Sequence, residues 1–235
     1  MRKALILGLA LCVMLPFCCK KADQPARQDE GQDEILGRKY AKYRVQVMKG
    51  SDLKGSLAVL EKGEMVSLIG EEKITTPQGK TLDVARVKLA DDAEGYLETR
   101  HLADRVIVFV DNVKAFVRPT SGSAVHLTIP RGTIGFVVGE KANWVQVYAG
   151  KIEGKYLSGQ WVESGYVDDP QILVDARTYE SAMDALKSGG EDKKAEARKK
   201  LEEVARGTNL IAEMARNAIA QPAQEGAQEH AQPPE

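Results

Sequence analysis

The distribution of apolar and polar positions divides the chain into five stretches. Residues 4 to 17, "ALILGLALCVMLPF", carry no charge, and residues 20 to 38, "KKADQPARQDEGQDEILGR", have almost nothing to bury. From 43 to 164 short clusters of β-branched and aliphatic residues lie between Gly, Pro and Asp turns: "YRVQV" (43–47), "MVSLI" (65–69), "DVARVKL" (83–89), "KAFVR" (114–118), "IGFVV" (134–138), "WVQVY" (144–148) and "QWVES" (160–164). Short clusters of that kind predict strands, and without helical periods between them they predict small all-β units.

After Pro170 the period changes to that of helices. Tyr179, Ala182, Met183 and Leu186 share a face that ends at Gly189-Gly190. Ala197, Leu201, Val204 and Ala205 form a second apolar face opposite a charged one, and Leu210, Ile211, Met214, Ala215 and Ala218 a third after Gly207. Each stripe must bury one side. Packing on each other or on the neighbouring β unit is one use, and association with a partner or a second copy of the chain is the other. The last stretch, "QPAQEGAQEHAQPPE" (221–235), has the Pro, Gln and Glu bias of a disordered tail.

The β region repeats itself. "AVLEKGEMVSLIGE" (58–71) and "LTIPRGTIGFVVGE" (127–140) share a basic residue before glycine, four apolar or small positions and a closing Gly-Glu, at a spacing of 69. "YLETRHL" (96–102) and "WVESGYV" (161–167) follow at a spacing of 65, the difference falling on a longer first-copy loop, "KITTPQGKT" (73–81). A unit of about 65 residues is therefore duplicated, as 39–104 and 105–170. "AFVRPTSGSAVHLTIPRGTIGFVVGEKANWVQV" in the second copy resembles the bacterial SH3-like domain, with Phe116-Val117-Arg118, Arg131-Gly132, Asn143-Trp144 and Gln160-Trp161-Val162 at the places of its motifs. The first copy lacks the Asn-Val-Arg element and both tryptophans and joins through the repeat. The resemblance implies a mainly β chain of two small SH3-like β-barrels in tandem, followed by a C-terminal helical segment (171–220). It also implies binding of peptidoglycan, peptides or envelope proteins without chemistry.

The N-terminus changes the setting. Arg2 and Lys3 precede an uncharged run of 14 residues, shorter than the roughly 20 that a membrane-spanning helix needs, so 1–18 reads as a signal peptide. The run meets cysteine after Leu15-Pro16-Phe17 and so resembles a bacterial lipoprotein signal, in which a cysteine is acylated and begins the mature chain. Cys19 places compact Cys18 where a small residue is expected; Cys18 is the alternative, with bulky Phe17 there instead, and plain cleavage without lipid stays open. The anchor would lie in the inner or outer membrane, facing the periplasm or the cell surface, with 19–38 as a flexible tether.

Composition removes other classes. Cys12 is discarded with the signal and no cysteine follows Cys19, so no disulfide, thiol catalyst or thiolate metal site exists in the folded part. Without Arg2 and Lys3 the chain has 31 basic against 34 acidic residues, a net charge of −3, and no footprint for nucleic acid. His101, His126 and His230 are not at triad or zinc spacing, and "ITTPQGKT" has Ile74 where a phosphate loop needs glycine. No cofactor or metal and no catalysis are expected. Trp144, Tyr148, Tyr156, Trp161 and Tyr166 concentrate aromatic surface in the second copy and are the ligand-binding candidates. Trp161, in a β-branched strand, is assigned to the core, while Trp144, at a turn, is equally suited to core and surface.

Overall fold

Alternation of inward apolar and outward polar residues sets the strands. The computed structural model describes residues 34–77 and 79–220, so the signal, both candidate lipidation sites Cys18 and Cys19, the tether before Glu34, and the tail with His230 lie outside the described residues. In the first copy the strands are β1 (Gly37–Ala41), β2 (Val45–Met48), β3 (Ser56–Leu60), β4 (Met65–Thr75), β5 (Thr81–Lys88), β6 (Glu94–Glu98) and β7 (Leu102–Ala103). In the second they are β8 (Arg105–Phe109), β9 (Val113–Phe116), β10 (Val125–Ile129), β11 (Ile134–Lys141), β12 (Trp144–Ile152), β13 (Lys155–Val162) and β14 (Tyr166–Val167).

The two sheets have one topology. Sheet 1 runs β3-β2-β6-β5-β4-β1-β7 and sheet 2 runs β10-β9-β13-β12-β11-β8-β14, the same order displaced by seven strands. Among the described residues neither ladder closes on itself; each ends on two different strands. Each sheet folds over a core of its own, with Ala41, Val47, Leu60, Val87 and Leu97 in the first and Phe109, Ala115, Ile129, Val147 and Val162 at the corresponding places in the second.

The motifs of the repeat have structural causes. The basic-Gly pairs Lys62-Gly63 and Arg131-Gly132 turn the chain between strands three and four of each copy, with φ of +74° and +81°. The two glycine N–H groups donate to Ala41 O and Phe109 O, each at 2.7 Å. Positive φ favours glycine because a Cβ would crowd the backbone. The closing Gly-Glu marks a β-bulge in both copies, where the register slips between Leu68 and Gly70 and between Val137 and Gly139. Such a bulge raises the local twist and lets a short sheet curl over its core.

The first-copy loop at 73–81 is in fact a continuation of the β4–β5 hairpin, paired out to Thr75 and Thr81. Sheet 2 lengthens a different hairpin, β12–β13, which pairs out to Ile152 and Lys155 through a segment that does not read as strand in the sequence. The short strands β1, β3, β6, β7, β8, β10 and β14 are further additions to the predicted set.

The helices are α1 (Pro170–Ser188), α2 (Glu191–Ala205) and α3 (Leu210–Ala220). Asp169 caps α1 by accepting from the N–H groups of Gln171 and Ile172, with Pro170 at the first position, where its missing N–H costs nothing. Arg216 of α3 donates to the carbonyls of Ala205 and Gly207 and so satisfies the end of α2. Their stripes are buried within the chain: Leu173, Ala176, Leu201, Val204, Ile211 and Ala215 pack with Val106, Val108, Ile134 and Phe136 on the outer face of sheet 2. The same helices meet both glycine turns. Lys62 donates to Glu180 at 2.7 Å, and Arg131 lies 3.6 Å from Glu213.

A Cβ on Gly132 would stand 2.6 Å from Met214 Cε and 2.8 Å from its sulfur, whereas one on Gly154, φ +85°, would meet nothing within 4 Å. Urea denaturation should show Gly132→Ala destabilised by about 1–3 kcal/mol, and by more than Gly154→Ala, which carries only the roughly 1 kcal/mol of backbone strain. Equal losses would mean that α3 does not bear on this turn.

Candidate functional site

The five predicted aromatic residues are not gathered at one place. Tyr148 lies between the copies: its ring is 6.4 Å from Phe136 and 6.3 Å from Tyr43, with Lys42 Nζ 5.9 Å from its centroid. It is packing and not an open contact surface. Tyr166 stands edge-on to Phe109 at 6.3 Å, against the core of sheet 2. Tyr156 is 64% exposed near the tip of the β12–β13 hairpin, and its carbonyl faces His126 Nε2 at 3.0 Å. The structure corrects the core assignment of Trp161 and decides the open one of Trp144. Trp144 is buried, perpendicular to Phe116 at 5.4 Å, while Trp161 is half-buried on the sheet surface.

The reason is the direction of the strands' faces. Val145, Val147 and Val162 enter the core of sheet 2, so Trp144, Gln146 and Trp161 fall on its outer face. Residues directly opposed across strands share a face. The register therefore sets out a row over five strands: Val125 opposite Phe116, Phe116 opposite Trp161, Trp161 opposite Gln146, and Gln146 opposite Gly139. Trp144 supports that row from beside Phe116. Val125 at its end and Val138 at the bulge are 47% and 46% exposed.

Sheet 1 has the same row with other chemistry: Ser56, Met48, Tyr96, Arg86 and Gly70. There Arg86 is bound to Glu94 at 2.6 Å. The first row thus has one ring, Tyr96, between Met48 and an ion-paired arginine, whereas the second sets two large rings, Phe116 and Trp161, side by side. Phe116 and Val125 escaped the sequence reading as site residues, although the repeat offset that pairs Met48 with Phe116 points to them.

A titratable group of residues sits where the sheets meet. The chain passes from β7 to β8 through Asp104 alone, and Lys39 forms an ion pair with that residue. Tyr43 is hydrogen-bonded to His101 Nδ1, and Glu98 lies 3.8 Å from Nε2. Burial lowers the pKa of His101 below its ordinary value, opposed by Glu98, and burial also lowers that of Lys42 and raises that of Tyr43. Tyr43 and His101 are engaged with one another, Lys42 and Tyr43 reach Tyr148 of the second copy, and Glu98 also lines a hollow beside the β4–β5 hairpin. Hollows of about 730 Å³ beside the β4–β5 hairpin and about 530 Å³ beside α1 are lined largely by charged residues and hold none of the five aromatics. Among the described residues no three His, Cys, Asp or Glu side chains stand together as metal ligands would.

Two outcomes follow from these positions. Trp144→Ala should cost about 3–5 kcal/mol in urea denaturation, as for other buried large-to-small changes, and Trp161→Ala distinctly less. His101 is neutral in the fold, with a pKa below the 6.5 of an unfolded chain. Its contribution is complete above pH 6.5 and declines as pH falls through the lowered folded value, because the unfolded state then binds the proton more readily. His101→Gln should flatten the loss of stability between pH 7 and 5; an unchanged slope would place the proton uptake elsewhere.

Comparison with known proteins supplies the affiliation. No curated protein matches the chain. Among solved structures, NlpC2 from Trichomonas vaginalis is 14% identical over 63% of this chain and 55% of its own, with a TM-score of 0.23. NlpC1 from the same organism is 12% identical over 63% of this chain and 52% of its own, also at 0.23. The chain spans about half the length of each, and at that score neither carries an argument. Among the described residues no helix is long and apolar enough to cross a membrane. The sequence model of the family described as Lipoprotein LenA, in contrast, matches residues 5–232, nearly the whole chain and including the apolar run and both Cys18 and Cys19. The chain therefore belongs to the Lipoprotein LenA family, and with it to the membrane-anchored lipoproteins of the bacterial envelope.

Proposed function

We propose that this lipoprotein is a non-catalytic binding protein whose two sheets are SH3-like modules and whose second module holds peptidoglycan or a peptide. Acylated Cys19 is its anchor and residues up to 38 its tether. The observation that carries the reading is the outer-face row of sheet 2, in which Phe116 and Trp161 remain half-exposed while every equivalent in sheet 1 is smaller, polar or ion-paired. Large rings on a rigid sheet give contact area at little cost in conformational entropy. The helix stripes point the same way: sheet 2 and the helices bury them against one another, so they do not call for a further partner. The Tyr43–His101 pair, tied within the contact between sheets, supports a non-catalytic reading.

Sedimentation of the lipoprotein in detergent with purified cell wall tests the module. Trp161→Ala should weaken retention by about 30-fold, the effect of losing one central aromatic anchor. Retention equal to wild type, with folding intact, would remove the row as the site. Mass spectrometry of the mature N-terminus should find the acyl groups on Cys19; a chain beginning with an unmodified residue would contradict the anchor.

A further inference from the structure

We infer that the stripe across sheet 2 takes an extended, acidic polypeptide segment rather than an uncharged glycan; this rests on, and narrows, the binding role proposed above. The first ground is the charge around the stripe. Lys114 precedes Phe116 by two residues, and Val113 and Ala115 face the core, so Lys114 shares the outer face with Phe116. Lys141 stands directly opposite Trp144. Arg118 follows Phe116 just past the end of β9, and all three cations are exposed. Among the described residues none of the three has a carboxylate within ion-pair distance, whereas Lys62, Arg86, Arg105 and Arg131 all do. Glu163, also exposed near Trp161, accepts from Asn143 and is not paired with any of the three cations. Cations left open beside an apolar stripe complement a ligand that carries carboxylates between apolar groups.

The second ground is the edge. β10 ends the ladder of sheet 2, and its sequence, Val-His-Leu-Thr-Ile, has neither proline, lysine nor a carboxylate to repel an incoming strand. Lys155 adds a cation there by donating to His126 O at 3.4 Å. A segment that crosses the stripe leaves it at this edge beside Val125, with Lys155 near for its carboxylates.

The third ground concerns what the stripe lacks. The two uncharged amides beside the stripe each have one N–H committed within the chain, Gln146 Nε2 to Gly159 O at 2.7 Å and Asn143 Nδ2 to Glu163, which leaves charged groups as the main polar partners of a ligand. Trp144, perpendicular to Phe116 and buried, offers no flat platform.

Selection of a randomised displayed-peptide library on the full lipoprotein in detergent tests this. The expected result is enrichment of peptides that alternate Asp or Glu with aliphatic or aromatic residues. A synthetic peptide of the enriched sequence should bind with a change in tryptophan fluorescence and weaken as salt rises. Lys114→Glu with Lys141→Glu should reduce its affinity by about tenfold or more, and Trp161→Ala by about 30-fold. Urea midpoints of both variants check that the fold is retained. Enrichment of uncharged or basic peptides, no enrichment at all, or unchanged binding by the double lysine variant overturns the inference, as does a dimer that occupies the surface. If purified cell wall retains the protein through Trp161 while the library yields nothing, the acidic peptide is wrong and the binding role stands; if neither probe depends on Trp161, both fall.

Discussion

The constraint on which the structure depends is that sheet 2 is apolar on both faces. Its inner face closes over Phe109, Ile129, Val147 and Val162 as any small β unit does. The outer face carries Val106, Val108, Ile134 and Phe136 at one side and Phe116, Trp144 and Trp161 at the other, and exposure of so much apolar surface to water is unfavourable at roughly 25 cal/mol per Å². Three helices cover the β8 and β11 side, and sheet 1 covers Tyr148 through Tyr43 and Lys42. What is left is the stripe.

This explains why the two copies, alike in topology, differ in role. The turn of Gly63 and that of Gly132 both bear on the helices, the first against Leu173 and Arg177, the second against Met214 and Ile211. Sheet 1 adds Lys62 with Glu180 and closes the contact at Asp104, so it acts as a brace for sheet 2. Its own outer row, with Arg86 neutralised by Glu94, needs no cover. One topology thus carries two different outer rows, Met48, Tyr96 and Arg86 in the first copy and Phe116, Trp161 and Gln146 in the second.

Rigidity also matters for an anchored protein. In the binding role proposed above, a face fixed to a braced body would lose little freedom on taking up a ligand. The connection of the copies through a single residue, with ion pairs of Arg105 to Glu140 at 2.6 Å and to Asp168 at 3.1 Å, keeps the parts of sheet 2 in a constant relation.

Much of this was legible in the sequence. The repeat was, because the positive-φ glycine and the bulge each demand a residue type at a set place, and the three helices were, because their apolar stripes, Asp169-Pro170 and Gly189 obey local rules. That the chain is a bacterial lipoprotein was legible in its basic and apolar start before two cysteines, and the family match over 5–232 supports it. Only the tertiary structure decided which face of each strand is outside. A tryptophan in a strand can point either way, and whether Trp161 or Trp144 is covered depends on Phe116, which comes from another strand 28 residues before Trp144. The same holds for Tyr148, a candidate contact aromatic by sequence that Tyr43 and Lys42 of the first copy partly cover: local sequence sets the alternation of faces, and long-range packing determines which of them meets water.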